Sequence, residues 1–338
     1  MKRWFARLAF AAALAAGGPA AGGEPAPPKD PTPDQAYHEA LNYFQNKEFD
    51  KAEQALDRVL AARPDSFTAL YLRGACRLSA GKYGPAHDDF DAVVRAKPDF
   101  VKAVAQRGRS SLGLEAWDDA VRDLESALRL DPSDKGWKQD LEQARMLKRG
   151  AAECGPGKAF PALPLELPGA GEGAGARKVP EGLLLPLLSA AERAGRLLGG
   201  GGTPFRGVWI LFFSTVDNPL DRAVLSEIQE ALPNLAGKGF AAVAVSPDSP
   251  EKLARLRESK ELGFPLFSDP MGRAAWKLGI LNLRRSDFGE PLPAWFVVDA
   301  GGIIRARKVL LDSHRREPLE KVLKDFSGSI TKDAPEGK

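Results

Sequence analysis

The sequence predicts two modules of different class, an all-α solenoid of helical repeats followed by an α/β domain. Three observations carry this reading. Small, aromatic and proline positions recur at a spacing of 34 residues over about residues 33–134. From Gly207 onward, short apolar runs alternate with amphipathic segments. Between the two lies a Gly/Pro-rich stretch, residues 150–202. With 43% hydrophobic and 28% charged residues, the 338-residue chain has the composition of a globular protein, not of a polytopic membrane protein or a wholly disordered chain.

The first element in order is a leader, MKRWFARLAFAAALAAGGPAAGG. Lys2, Arg3 and Arg7 give it a positive start, Leu8–Ala16 an apolar run, and Gly17–Gly23 a small-residue end. That three-part layout predicts a secretory signal peptide over residues 1–23. The apolar run is about half the ~20 residues that a membrane-spanning helix needs. The expected product is exported, periplasmic or secreted, free of the membrane after cleavage, with a Pro-rich tether at 24–32. Export implies an oxidising compartment. Only Cys76 and Cys154 are present, so no disulfide framework can form.

Of 48 basic and 45 acidic residues, three basic ones fall in the leader, so the remainder is balanced. A balanced chain gives no electrostatic reason to expect nucleic acid as partner. His38, His87 and His314 stand far apart, and no Gly-rich phosphate loop or Ser-His-Asp arrangement is present. Neither a metal nor a cofactor is expected.

The repeats come next. NKEFDKAEQALDRVLAARPD, AGKYGPAHDDFDAVVRAKPD and LEAWDDAVRDLESALRLDPS align at an offset of 34. The aromatics Phe49, Tyr83 and Trp117 keep that spacing, as do Ala52, Ala86 and Ala120, and Pro64, Pro98 and Pro132. So do Leu56, Phe90 and Leu124, and the small residues Ala40, Gly74 and Gly108. Each unit is two amphipathic helices that cannot bury their faces alone, so neighbours must stack. The small residue of the first helix and the alanine of the second let the two approach closely. The terminal proline ends the second helix, because it lacks a backbone donor and clashes with the preceding turn. After Pro132, SDKGWKQDLEQARMLKR predicts one more helix, capped by Ser133 or Asp134, with Trp137, Leu141 and Ala144 on one face. Its expected role is a lid on the last repeat.

This pattern resembles the tetratricopeptide repeat family. The resemblance implies three repeats plus a capping helix, 33–149, and a concave groove on the first helices that takes a protein or peptide partner. Tyr37, Leu41, Phe44, Tyr71, Leu78, Lys102 and Arg109, with Leu112, should line it. The family's peptide-carboxylate clamp uses Lys and Asn on these faces. The matching positions hold Tyr37, Leu41, Leu72, Lys102 and Gln106; only Lys102 fits, so that ligand is not inferred. The competing expectation is that the groove packs against the chain's own tether or second domain.

Residues 150–180 hold seven glycines and five prolines and predict an interdomain linker, 150–202, with Cys154 inside it. It ends in a helix-like piece, 187–198, and a run of four glycines. Val208–Ser214 is a continuous apolar run, as expected for a strand buried on both faces. Asp217–Asp221 starts a helix whose apolar positions are Leu220, Val224, Ile228 and Leu232. Phe240–Ser246 is a strand, Glu251–Leu262 a helix, Phe264–Phe267 a short extended piece, and 272–279 another helix. Ala294–Asp299 and Ile303–Val309 flank Ala-Gly-Gly as a hairpin. A helix over 315–326 and a disordered tail, 329–338, close the chain.

The order β-α-β-α-(α)-β-β-α resembles the thioredoxin-like fold, and over residues 203–328 its redoxin branch. That branch comprises peroxiredoxins (the alkyl hydroperoxide reductase/thiol-specific antioxidant family) and thiol-disulfide oxidoreductases. LFFS before a helix, VAVSPDSPEKLARLRE, FPLFSDPMGRAAWKLGI and LPAWFVVDAGGIIR carry the likeness. The resemblance implies a cysteine at the start of the helix after the first buried strand, where the helix dipole and free N–H groups stabilise a thiolate. Read as Cys-x-x-Cys, those positions are Asp217 and Leu220; read as a peroxiredoxin, the cysteine falls near Asp221 and the preceding threonine near Asn218. The peroxiredoxin arginine matches Pro293, which fits the thioredoxin-type cis-proline instead. No cysteine lies between Thr203 and Lys338. Asp217 or Asp221 is expected to be a simple helix N-cap. The sequence therefore predicts an exported interaction protein whose repeats recruit a partner and whose redoxin domain has lost its thiol chemistry. The alternative is an active redoxin with antioxidant activity, its nucleophile supplied by Cys154 or a partner's thiol.

Overall fold

The computed structural model describes residues 31–167, 177–178, 205–283 and 290–311, with Lys321 and Lys324 besides. The leader, most of the tether, the helix-like piece at 187–198, the helix expected over 315–326 and the tail lie outside the described residues. Seven helices open the fold: α1 (Pro33–Gln45), α2 (Phe49–Ala62), α3 (Phe67–Ser79), α4 (Tyr83–Ala96), α5 (Val101–Gly113), α6 (Trp117–Leu130) and α7 (Lys135–Glu153). Thr32 begins α1 with a capping box: its hydroxyl accepts from Gln35 N–H and the Gln35 side chain accepts from Thr32 N–H. Asp134, not Ser133, caps α7 by accepting from Trp137 N–H at 2.8 Å.

The 34-residue spacing builds the interior of each repeat. A Cβ at Gly74 would meet the Phe90 ring at 2.9 Å, and one at Gly108 would meet Asp123 Cβ at 3.1 Å. Phe49 packs edge-on against Phe44 at 5.8 Å. A second feature shares the period. Arg73 donates to Asp57 at 2.7 Å and to both oxygens of Asp89, and Arg107 donates to Asp91 at 2.8 Å and to both oxygens of Asp123. Each arginine thus joins its own repeat to the previous one.

The second module is a mixed sheet. Its strands are β1 (Glu166–Leu167), β2 (Arg177–Lys178), β3 (Gly207–Phe212), β4 (Phe240–Ser246), β5 (Leu266–Ser268), β6 (Ala294–Asp299) and β7 (Ile304–Val309). They lie in the order β2-β1-β5-β4-β3-β6-β7. β3, β4 and β5 are parallel, β6 lies antiparallel beside β3, and β7 lies antiparallel beside β6 at the edge. One face buries Trp209, Leu211, Phe213 and Trp295 beneath α8 (Pro219–Gly237) and α9 (Pro250–Ser259). The other face buries Val208, Ile210, Phe212 and Phe296. There the cover is α10 (Arg273–Lys277) and chain that precedes the sheet.

That preceding chain differs from the expectation. Residues 150–165 are packed rather than a free linker. Gly157 and Phe160 N–H donate to Ile304 and Gly302 carbonyls at 2.7 and 2.8 Å, and Ile304 N–H returns a bond to Lys158. Phe160, Leu163 and Leu165 are buried, with Phe160 edge-on to Phe296 at 5.8 Å. The strap runs from the edge of β7 across the sheet face to β1, which pairs with β5. Its composition reads as linker, but its apolar side chains have a sheet face to bury against.

The lid helix α7 also does more than close the repeats. Trp137, Leu141, Ala144 and Leu147 belong to one apolar core with Val208, Phe212, Leu278 and Phe296 of the sheet module. Gln143 donates to Leu281 carbonyl at 3.1 Å and accepts from Leu283 N–H at 2.9 Å. Gly150 and Gly279 meet backbone to backbone: a Cβ at Gly150 would lie 2.5 Å from Leu278 carbonyl oxygen, and Gly279 has φ +65°. Arg149 stacks on Trp276 at 5.0 Å. One helix is therefore shared by both modules.

Candidate functional site

The first candidate site is the loop between β3 and α8, at the carboxyl ends of the parallel strands, where open α/β sheets place their ligand sites. The expected strand stops at Phe212, two residues early. Ser214 and Thr215 N–H turn from the ladder and donate to Asp221 Oδ2 at 3.2 Å, and Ser214 Oγ donates to the same oxygen at 2.5 Å. Asp221 is wholly buried and Ser214 nearly so, which shuts this hydroxyl off from solvent.

Neither aspartate is the N-cap. Asn218 is, its Oδ1 accepting from Leu220 N–H at 3.0 Å, with Pro219 at the first helical position. Proline favours that position because its missing N–H costs nothing there, so Asn-Pro was the available signal. Asp217 is exposed and accepts from Lys252 Nζ at 2.6 Å, and Leu220 faces solvent. Pro293 is not a cis-proline, since no described peptide bond is cis. It leads straight into β6, its carbonyl accepting from Leu310 N–H at 2.8 Å, and without a turn to demand it the trans bond is the lower state.

Sequence reasoning missed the partner of this loop. Asp248, beyond β4, accepts from Val216 N–H at 2.7 Å, Thr215 Oγ1 at 3.0 Å, Ser246 Oγ at 2.6 Å and Lys252 Nζ at 2.7 Å. Burial pushes the Asp248 carboxyl up, but Lys252 and these donors outweigh it and hold the group below the usual aspartate range. The i, i+4 spacing of Asp248 and Lys252 was the readable sign. The loop is thus tied by two carboxylates, and neither thiol lies in it. Cys76 is buried in α3, and burial, with Glu53 adding, pushes its thiol up to about 12. Cys154 is the C-cap of α7, 4% exposed; burial raises it too, against the opposing charge of Arg307. Among the described residues, no group of three or more His, Cys, Asp or Glu converges as metal ligands would.

The second candidate site is the concave face of the repeats. A cavity of about 410 Å³ lies where it meets the sheet module. Of the expected groove residues, Phe44, Leu78, Arg109 and Leu112 line it, joined by Gln143 of α7 and by Asn282, Leu292 and Leu311 of the second module. Tyr37, Leu41 and Tyr71 are half-buried outside it, and Lys102 is exposed. Tyr71 packs on Phe90 and Phe100 at 5.7 and 5.0 Å. Arg109 donates to the buried Asp140 at 2.5 Å and to Gln106 Oε1 at 3.2 Å. The competing expectation, a groove met by the second domain, describes this end of the face.

Both modules match known families. A family model described as AhpC/TSA family matches residues 203–307, and one described as tetratricopeptide repeat matches residues 37–100. A peroxiredoxin-like protein of Mycobacterium tuberculosis (strain H37Rv) is 35% identical over 65 residues, 19% of this chain and 41% of its own. A peroxiredoxin-like protein of Haemophilus influenzae is 35% identical over 78 residues, 22% of this chain and 50% of its own. The chain therefore spans half or less of the length of these curated relatives. Among solved structures, the second TPR domain of human RPAP3, in complex with an HSP70 peptide, is 22% identical, covering 33% of this chain and 98% of that one at a TM-score of 0.32. MamA from Desulfovibrio magneticus RS-1 is 27% identical, covering 35% of this chain and 66% of that one at a TM-score of 0.34.

Proposed function

We propose that this chain, which joins tetratricopeptide repeats to a domain of the AhpC/TSA type, is an exported interaction protein that recruits a partner through its repeats and performs no thiol chemistry. One observation carries the second half. The peroxiredoxin reading puts the thiolate near Asp221, whose carboxylate takes the backbone N–H groups of Ser214 and Thr215, and the Cys-x-x-Cys reading puts it at Asp217 and Leu220, which carry no thiol either. A carboxylate suits the helix dipole as a thiolate would, but it cannot be oxidised and reduced. Ser214 is no substitute, because a hydroxyl is a weak nucleophile without an activating base and this one is buried. Cys154 is buried, its thiol held protonated at neutral pH, whereas reactive thiols are exposed thiolates.

The test is thiol-dependent reduction of hydrogen peroxide and of insulin disulfides by the full chain. Rates equal to buffer are expected for wild type and for Cys76→Ala/Cys154→Ser alike. Turnover that Cys154→Ser abolishes would establish the working-redoxin alternative. Turnover that survives both substitutions would place the chemistry elsewhere and overturn this reading. Export is tested separately by intact mass, which should give a mature N-terminus near residues 21–23.

A further inference from the structure

The cavity between the modules is walled by two different surfaces. One side comes from the first helix of every repeat: Phe44 of α1, Leu78 of α3 and Leu112 of α5. The other side, Leu292 and Leu311, comes from the sheet module. Among the described residues, no aspartate, glutamate or lysine lines it. The cation among them, Arg109, is already neutralised by Asp140 at 2.5 Å. The remaining polar groups are neutral, among them the amides of Gln106 and Asn282 and the hydroxyl of Ser79. The amide of Gln143 is engaged by the backbone of Leu281 and Leu283, which fixes the far wall against α7.

We propose that this cavity is a composite docking site for an extended, uncharged stretch of a partner protein, with one bulky apolar side chain seated between the repeats and the sheet module. The inference rests on the reading that the repeats recruit a protein, and it adds where the partner is gripped and by what chemistry. The charge pattern decides the ligand's charge. A carboxylate or ammonium entering this wall would lose its hydration with no free counter-charge among the described lining residues to meet it. The shape decides its length. Neighbouring helices pack ~8–10 Å apart, so a wall touching three first helices runs about 20 Å, or roughly six residues of extended chain. A volume of about 410 Å³ lies in the range of sites that take a specific ligand. The docking surface is continuous with the interface between the modules, because Gln143, bonded to Leu281 and Leu283, and Leu292, in the core shared with α7, serve both. The sheet module would then have a use that needs no cysteine: it is one jaw of the grip.

A phage-displayed dodecapeptide library, panned on the full chain and followed by polarisation titrations of the selected synthetic peptides, tests this. The enriched peptides should share an uncharged core with an aromatic or branched residue. Their affinity should fall about tenfold or more in Leu78→Asp and also in Leu311→Asp, and less than about twofold in Lys102→Glu. Both leucines are half-buried, and unchanged thermal melts confirm that the variants fold; Leu78→Ala and Leu311→Ala repeat the test without a new charge. Peptides that respond to Leu78→Asp but not Leu311→Asp would overturn the composite site while leaving recruitment by the repeats intact. Peptides that respond to neither variant, or whose binding falls steeply with salt, would overturn it as well, as would a library that yields no binder. Uptake of the dye ANS that selected peptides cannot displace would assign the cavity to small apolar molecules and overturn the peptide reading.

Discussion

Two kinds of joint hold this chain together, and they are built from opposite materials. Between repeats the joint is ionic and periodic: Arg73 and Arg107 each hold carboxylates of two successive repeats, at the same 34-residue offset as the glycines beneath them. Between the modules the joint is mainly apolar and occurs once. It consists of backbone pressed on backbone at Gly150 and Gly279, one glutamine amide and a shared apolar core. An arginine at this joint, Arg307, lacks partners for Nε and Nη2 among the described residues. Burial pushes that guanidinium below its ordinary value, with the charge of Glu115 acting against the push. A repeating joint can afford charge because each arginine meets two carboxylates in register. A single joint between unlike surfaces excludes water by shape instead.

The largest expected effect breaks the apolar joint. In Gly150→Val a Cβ must enter space held by Leu278 carbonyl and Gly279, backbone that cannot rotate away. Overpacking of this kind costs about 3 kcal/mol or more. Chemical denaturation should then show two transitions in place of one, while the repeats keep their own midpoint. A single transition at the wild-type midpoint would mean that the modules do not depend on this contact.

A paired substitution measures the ionic contrast. Arg107→Met leaves Asp123, 6% exposed, without its partner and should destabilise by about 3 kcal/mol, since an orphaned buried charge keeps its desolvation penalty. Arg307→Met removes a buried guanidinium that has the charge of Glu115 nearby but no hydrogen-bond partner for Nε and Nη2 among the described residues, and should cost about 1 kcal/mol or less. Equal losses in the two variants would erase the distinction between the joints.

The smallest effect is a pH dependence confined to one side. Burial pushes Asp269 up to about 6, although Ala275 and Ala274 N–H bonds oppose it. A raised carboxyl binds its proton more tightly folded than unfolded. Its stabilising contribution is therefore present below the unfolded value, near 4, and is lost as pH rises through about 6. The loss should be no more than about 2 kcal/mol, as each tenfold change in proton affinity is worth ~1.4 kcal/mol and solvent screens part of the effect. Asp269 caps the start of α10, whose far end is the Leu278–Gly279 contact with α7. Amide exchange near Gly279 should accelerate between about pH 4 and pH 6, beyond the intrinsic rate, more than exchange near Arg107. Asp269→Asn should remove that difference.

The same contrast explains what was legible in the sequence. The repeats and their close-contact glycines were readable because periodicity states them several times over, and the succession of strands β3 to β7 because apolar runs alternate with amphipathic segments. The arginine ladder was equally readable, since Arg73 and Arg107, Asp57 and Asp91, and Asp89 and Asp123 all stand 34 apart. The contact of Gly150 with Gly279 was not, because two glycines far apart in sequence carry no pattern that pairs them. The strap at 154–165 was masked by its glycines and prolines, although Leu163, Leu165 and Leu167 alternate as a strand does. That no cysteine stands in the loop after β3 was plain, but the arrangement of that loop was not. That the buried Asp221 carboxylate would draw in Ser214 and Thr215 depends on a turn of backbone no composition encodes.

The strap also sets an order of events during synthesis. Residues 157–160 find their partners at Gly302 and Ile304, more than 140 residues further along the chain. The repeats can collapse at once, since their contacts are local, but Phe160, Leu163 and Leu165 must wait for β3, β6 and β7. Closing so long a loop is slow, and apolar side chains left open meanwhile invite mispairing. The prolines at 161 and 164 interrupt backbone donors within that waiting segment, which makes it a poor template for another chain's strand. Strands β6 and β7 therefore lock the junction shut, and a chain truncated before Ile304 would keep its repeats folded while its strap stayed unclosed.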